Sequence, residues 1–145
     1  MPSIYWTDIL DLSLKERFFL ARITLIFAVL LVALGLIGYV GTGSQHMTAL
    51  IPTWFGVALA LFGLLAMSPI EARRKLFMHI NVTIGLLGFL GAGFRAAQEF
   101  AHAGSTGKPV DPIAVEAQIA MAALLLVYVI LCVRSFIAAR RSGKV

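Results

Sequence analysis

Arg95 and Glu99 stand four residues apart, as do Gln98 and His102, and Gln45, His46, Asp111, Glu116 and Gln118 are the other polar groups gathered at the same end of the chain's apolar segments. At that spacing a guanidinium and a carboxylate share one helix face and can pair. Glu116 could also reach Arg95 from a neighbouring helix, since an unpaired ion at hydrocarbon depth is costly. Two readings follow: an interfacial salt bridge with solvated neighbours, or a vestibule for the polar head of an amphipathic ligand. His46, Arg95, Glu99, His102 and Glu116 are the candidate ligand-binding cluster.

Other chemistries find less support. A metal at His46, His102 and Glu99 would need separate segments to converge, because no HxxxH or HxxE run is present. His79 and Asn81 form a smaller inner polar group, expected to hydrogen-bond a neighbouring helix. A haem on His79 would require a second histidine at its depth, whereas His46 and His102 fall at the opposite end. No metal or cofactor is therefore expected. There is no nucleophile elbow, phosphate-cradling loop or zincin motif, so catalysis is not expected either. Every carboxylate lies near a segment end, which argues against proton-coupled export through a deep acid. Cys132 is the single cysteine and reads as a packing residue.

The elements that position these groups follow from composition. Of 145 residues 60% are apolar and 13% charged, and the mean hydropathy is +0.93. A soluble domain of this size needs more polar surface, whereas lipid accepts apolar side chains facing outward. The net charge of +5 does not indicate nucleic-acid binding, because the basic residues gather at helix ends rather than on one water-exposed face.

The chain reads as one all-α domain over 1–145, a four-helix membrane bundle with spans at about 18–40, 49–67, 76–97 and 113–136. Residues 1–14, with Tyr5 and Trp6 among Asp8 and Asp11, read as a short interfacial segment. Ser13-Leu14-Lys15-Glu16 has the form of a capping box opening the first helix, and Ser68-Pro69-Ile70-Glu71 one opening the third. The third helix is expected to run to about Ala103, and Asp111-Pro112 to cap the fourth.

Ten of the twelve lysines and arginines fall on one side: Lys15, Arg17, Arg22, Arg73, Arg74, Lys75, Arg134, Arg140, Arg141 and Lys144, leaving Arg95 and Lys108. By the positive-inside rule both termini are cytoplasmic and the cell inner membrane is the expected location. Membrane lipid is then an expected partner.

Gly35-Leu36-Ile37-Gly38-Tyr39-Val40-Gly41-Thr42-Gly43 recurs fifty residues later as Gly85-Leu86-Leu87-Gly88-Phe89-Leu90-Gly91-Ala92-Gly93. The repeat relates two helical hairpins in parallel orientation. At helical spacing it gives a seam of Thr24, Ala28, Leu31, Gly35, Gly38 and Thr42 on the first helix, and one of Asn81, Gly85, Gly88, Ala92, Arg95, Glu99 and His102 on the third. Small seams allow close backbone approach in lipid. Gly35, Gly38, Gly85, Gly88 and Ala92 are accordingly the candidate helix-packing residues, and the simplest packing sets helices one and three against each other. A third seam runs through Glu116, Ala120, Ala123, Val127, Ile130 and Arg134 on helix four.

Gly38-Tyr39-Val40 followed by Gly43-Ser44, then Phe55-Gly56, and later Gly93-Phe94-Arg95 with Gly107-Lys108-Pro109, resembles the pattern of the transmembrane-14 and plastid fatty-acid-export family of small four-span proteins. Arg95 follows Phe94 where the family's arginine precedes its phenylalanine. The resemblance implies facilitated movement of fatty acids or porphyrin-like molecules. Together these readings favour a non-enzymatic protein that binds or passes a hydrophobic or amphipathic small molecule. The rival is an accessory or assembly subunit of a larger membrane complex. A homo-oligomer or such a complex is the expected assembly.

Overall fold

The computed structural model describes residues 2–107 and 112–141. All regular structure among them is helical: α1 (Pro2–Gly41), a 3-10 turn (Met47–Leu50), α2 (Ile51–Leu65), α3 (Glu71–Thr106) and α4 (Pro112–Arg141). Four segments are long and apolar enough to cross a membrane, namely Phe18–Gly41, Met47–Leu65, Glu71–Thr106 and Pro112–Ala138. The helices alternate in direction. One end of the bundle, the terminal end, carries the start of α1, the end of α4 and the 66–70 turn; the distal end carries the 42–46 connection, the end of α3 and the start of α4.

Helix ends follow local chemistry. α1 contains no glycine or proline between Pro2 and Gly35, so nothing interrupts it for its first thirty residues. The expected start at Ser13 is therefore absent. In a continuous helix those N–H groups bond to carbonyls four residues back, and a capping box has nothing to cap. The side chains of Ser13 and Glu16 lie outside the described residues.

At the other end Gly43 (φ 67°) and Ser44 (φ 61°) take the left-handed conformation. The Ser44 N–H then donates to the Tyr39 carbonyl at 3.0 Å, closing a Schellman-type cap. α3 also begins later than the sequence suggests. Ser68 still belongs to the end of α2, its N–H donating to the Leu65 carbonyl at 3.2 Å. Ile70 becomes the N-cap, and Glu71, instead of reaching back to Ser68, approaches Arg74 Nη2 at 3.8 Å. Asp111, expected to cap α4, lies outside the described residues, as do Lys108 and Lys144.

Packing departs from the expected pairing. α1 packs on α2 and α4, and α3 packs on α2 and α4, which leaves α1 and α3 diagonally opposed. Their glycine seams do face inward, but each receives another helix. A Cβ on Gly88 would stand 2.6 Å from Leu125 Cδ1, and one on Gly85 3.2 Å from Tyr128 Cδ1, so these glycines are notches filled by large α4 side chains. Between α1 and α2 backbones approach directly: a Cβ on Gly56 would stand 2.7 Å from the Ala28 carbonyl oxygen, and one on Gly35 2.7 Å from the Thr53 nitrogen.

The seam expected on α4 is corrected for the same reason. Glu116, Ala123, Val127, Ile130 and Arg134 are exposed, whereas Val115, Met121, Leu125 and Tyr128 are buried. Complementarity in this bundle is large against small, so the packing face of α4 is its bulky stripe.

Candidate functional site

The terminal half of the core is closed. Leu31, Leu59 and Leu125 are fully buried and Tyr128 is 1% exposed, with Phe27 tilted against the Tyr128 ring at a centroid distance of 5.6 Å. Thr24 Oγ1 donates to the Leu20 carbonyl at 3.0 Å and lies 3.3 Å from the Tyr128 hydroxyl. Since the threonine proton is already used, the tyrosine donates.

His79 and Asn81, expected to act together, are separated here. Asn81 is buried beside Gly63, its Oδ1 without a hydrogen-bond partner. His79 is exposed: its Nδ1–H donates to the Lys75 carbonyl of its own helix at 2.7 Å, and its ring packs against Phe136. Two positions apart on a helix is about 200° of rotation, which puts the two side chains on opposite faces.

The distal half is open. Between the ends of the four helices lies a cavity of about 520 Å³, within the range of small-molecule sites. Phe55, Gly88, Ala92 and Met121 form its apolar floor; Thr42, His46, Thr48, Arg95, Glu99 and Gln118 supply its polar groups. Beyond Leu125 the buried stripe of α4 continues through Met121 and Val115, flanked by Ala117 and Ala114, while α3 contributes Ala92 and the exposed Gly91 and α1 contributes Gly38. A Cβ built on Gly91 would meet nothing within 4 Å.

Of the five candidate ligand-binding residues, His46, Arg95 and Glu99 line this cavity. His102 and Glu116 are exposed and lie outside the lining. Among the described residues the ion pairs are Asp11–Lys15 at 2.9 Å and Glu71–Arg74 at 3.8 Å. Arg95 therefore pairs with neither Glu99 nor Glu116, and the expected interfacial salt bridge is not formed. Arg95 is exposed and Glu99 partly so, which lets water reach both charges.

Gln118, a member of the polar outer group but not of the candidate cluster, lines the cavity with a buried, unpartnered Oε1. The stripe Val115, Gln118, Met121, Leu125 and Tyr128 points to it, once α4 is followed along its bulky residues rather than its alanines. Phe55, Thr42 and Thr48 carried no comparable signal. Among the described residues no group of three or more His, Cys, Asp and Glu side chains is placed to share a metal ion. What the cavity offers is charge, hydrogen bonding and apolar contact.

No family model matches the chain, and no curated protein or solved structure matches it.

Proposed function

We propose that the protein is a non-enzymatic integral protein of the cell inner membrane that binds, and facilitates movement of, an amphipathic small molecule through its distal cavity. The observation that carries this reading is the cavity itself, which joins an apolar floor to a polar mouth whose Arg95 and Glu99 are not committed to each other. The arrangement suits a ligand with an apolar body and a polar head. Eight basic residues of the described chain, Lys15, Arg22, Arg73, Arg74, Lys75, Arg134, Arg140 and Arg141, fall toward the terminal end, against Arg95 at the distal end. That asymmetry supports cytoplasmic termini and a cavity opening on the opposite face.

The parallel repeat is the second part of this reading. Positions 31–40 and 81–90 run through the same succession of buried, half-buried and exposed residues, one that α4 shares at 121–130, so it is the glycine spacing that supports the repeat. The α1–α2 and α3–α4 interfaces are also more extensive than those between the hairpins. Two glycine-notched hairpins brought together around a common axis would leave such a cavity where their large residues run out.

Saturable binding of a single-chain fluorescent amphiphile to the protein in lipid nanodiscs tests the function. Arg95→Gln and Glu99→Gln should each alter affinity without altering thermal stability. Wild-type protein showing only the non-saturable partitioning of empty nanodiscs would end the proposal.

The accessory-subunit reading has one observation of its own. The first sixteen residues of α1 before Phe18 project about 24 Å at 1.5 Å per residue, with Tyr5, Trp6, Ile9 and Leu14 exposed. A stoichiometric partner retained in mild detergent, and lost on deleting residues 2–14, would favour it. An interfacial role predicts instead that the deletion weakens association with bilayers.

A further inference from the structure

The order of groups along the cavity specifies more than an amphipathic ligand, and the inference drawn from it rests on the binding reading above. Gly85 faces Tyr128 and Gly88 faces Leu125 across the antiparallel α3–α4 pair. The same register brings Ala92 level with Met121 and Arg95 level with Gln118, all four of which line the cavity. Glu99 lies one further turn toward the mouth. From floor to mouth the site therefore presents apolar surface, then the level of Arg95 and Gln118, then a carboxylate.

A ligand carrying only an anion would meet Glu99, and one carrying only a cation would meet Arg95. A zwitterion satisfies both, provided its anion is nearer the chain than its cation. Gln118 lines the cavity at the level of the anion, so its side-chain amide can add a hydrogen bond to the head. We propose that the cavity takes a single-chain lysophospholipid with a zwitterionic head. Its chain lies on Phe55 and Met121, its glycerol hydroxyl donates to Gln118, its phosphate pairs with Arg95 and its terminal ammonium with Glu99. A second acyl chain would have to lie outside the floor, which is closed below by Leu31, Leu59 and Leu125.

The test compares two probes of equal chain length and zero net charge but opposite head order, below their micellar concentrations and in the presence of nanodisc-embedded protein. Decylphosphocholine places phosphate next to the chain, and decyl sulfobetaine places ammonium there. Calorimetric titration should show decylphosphocholine binding about tenfold more tightly, the scale set by two partly exposed charge pairs changing from attraction to repulsion. The double exchange R95E/E99R should reverse that preference, and R95Q, which leaves one charge, should reduce it. Saturable but equal binding of both probes would overturn the head-order assignment while leaving the cavity a binding site. Absence of saturable binding by either probe and by the fluorescent amphiphile would remove the underlying reading as well.

Discussion

The two halves of the bundle place the glycines of α3 in opposite settings. In the terminal half Gly85 and Gly88 are notches into which Tyr128 and Leu125 fit, and in the distal half Gly91, one turn on, has nothing within 4 Å of its missing side chain. A glycine stripe is thus not a packing element by itself. Its effect depends on what stands opposite: Leu125 and Tyr128 fill the notches at Gly88 and Gly85, whereas nothing fills the space beside Gly91.

That contrast can be broken first where it is tightest. Leu125→Ala should remove the side chain that fills the Gly88 notch and destabilise the bundle by about 2–5 kcal/mol, the range for emptying a well-packed site. Reversible unfolding in mixed micelles measures it. Gly56→Ala, which forces a methyl to 2.7 Å from the Ala28 carbonyl oxygen, should cost about 1–3 kcal/mol, because backbone cannot step aside as a flexible side chain can. A loss below a few tenths of a kcal/mol would mean that α1 and α2 are not held in this contact.

A smaller effect is expected at the polar layer. Tyr128→Phe deletes the hydrogen bond to Thr24 while keeping the ring in its notch. Interhelical hydrogen bonds in membranes average about 0.6 kcal/mol, so the loss should be of that size. An equal loss in Thr24→Val, with no further loss in the double variant, would assign it to this bond. The smallest change in stability belongs to the open half. Gly91→Leu adds a side chain into empty space and exchanges a poor helix former for a good one, a gain of up to about 0.8 kcal/mol.

Much of the architecture was legible because hydrophobic length and glycine spacing are local properties. The four spans and the inward faces of α1 and α3 follow from them. The partner of each seam was not legible. Small residues on α4, such as Ala123, suggest packing when read alone, but whether they touch a neighbour depends on residues up to a hundred positions away, and α4 turns its bulky face inward. The capping-box patterns failed differently: at Ser13 the helix already runs through from Pro2, so its N–H groups have helical carbonyls behind them, and at Ser68 the hydroxyl accepts from the Ile70 N–H at 3.4 Å, inside the turn before α3 rather than at the helix N-cap. At the candidate site, charge and proximity to segment ends singled out Arg95, Glu99 and His46. They could not separate these from His102 and Glu116, because one residue of offset on a helix turns a side chain by about 100°.

Gly91→Leu gives the most direct test of a distal cavity that holds an amphipathic ligand, with binding and thermal stability measured on the same nanodisc sample. The account predicts that saturable amphiphile binding is lost while the unfolding temperature stays level or rises. Undiminished binding in a stable Gly91→Leu protein would show that the ligand does not occupy this cavity.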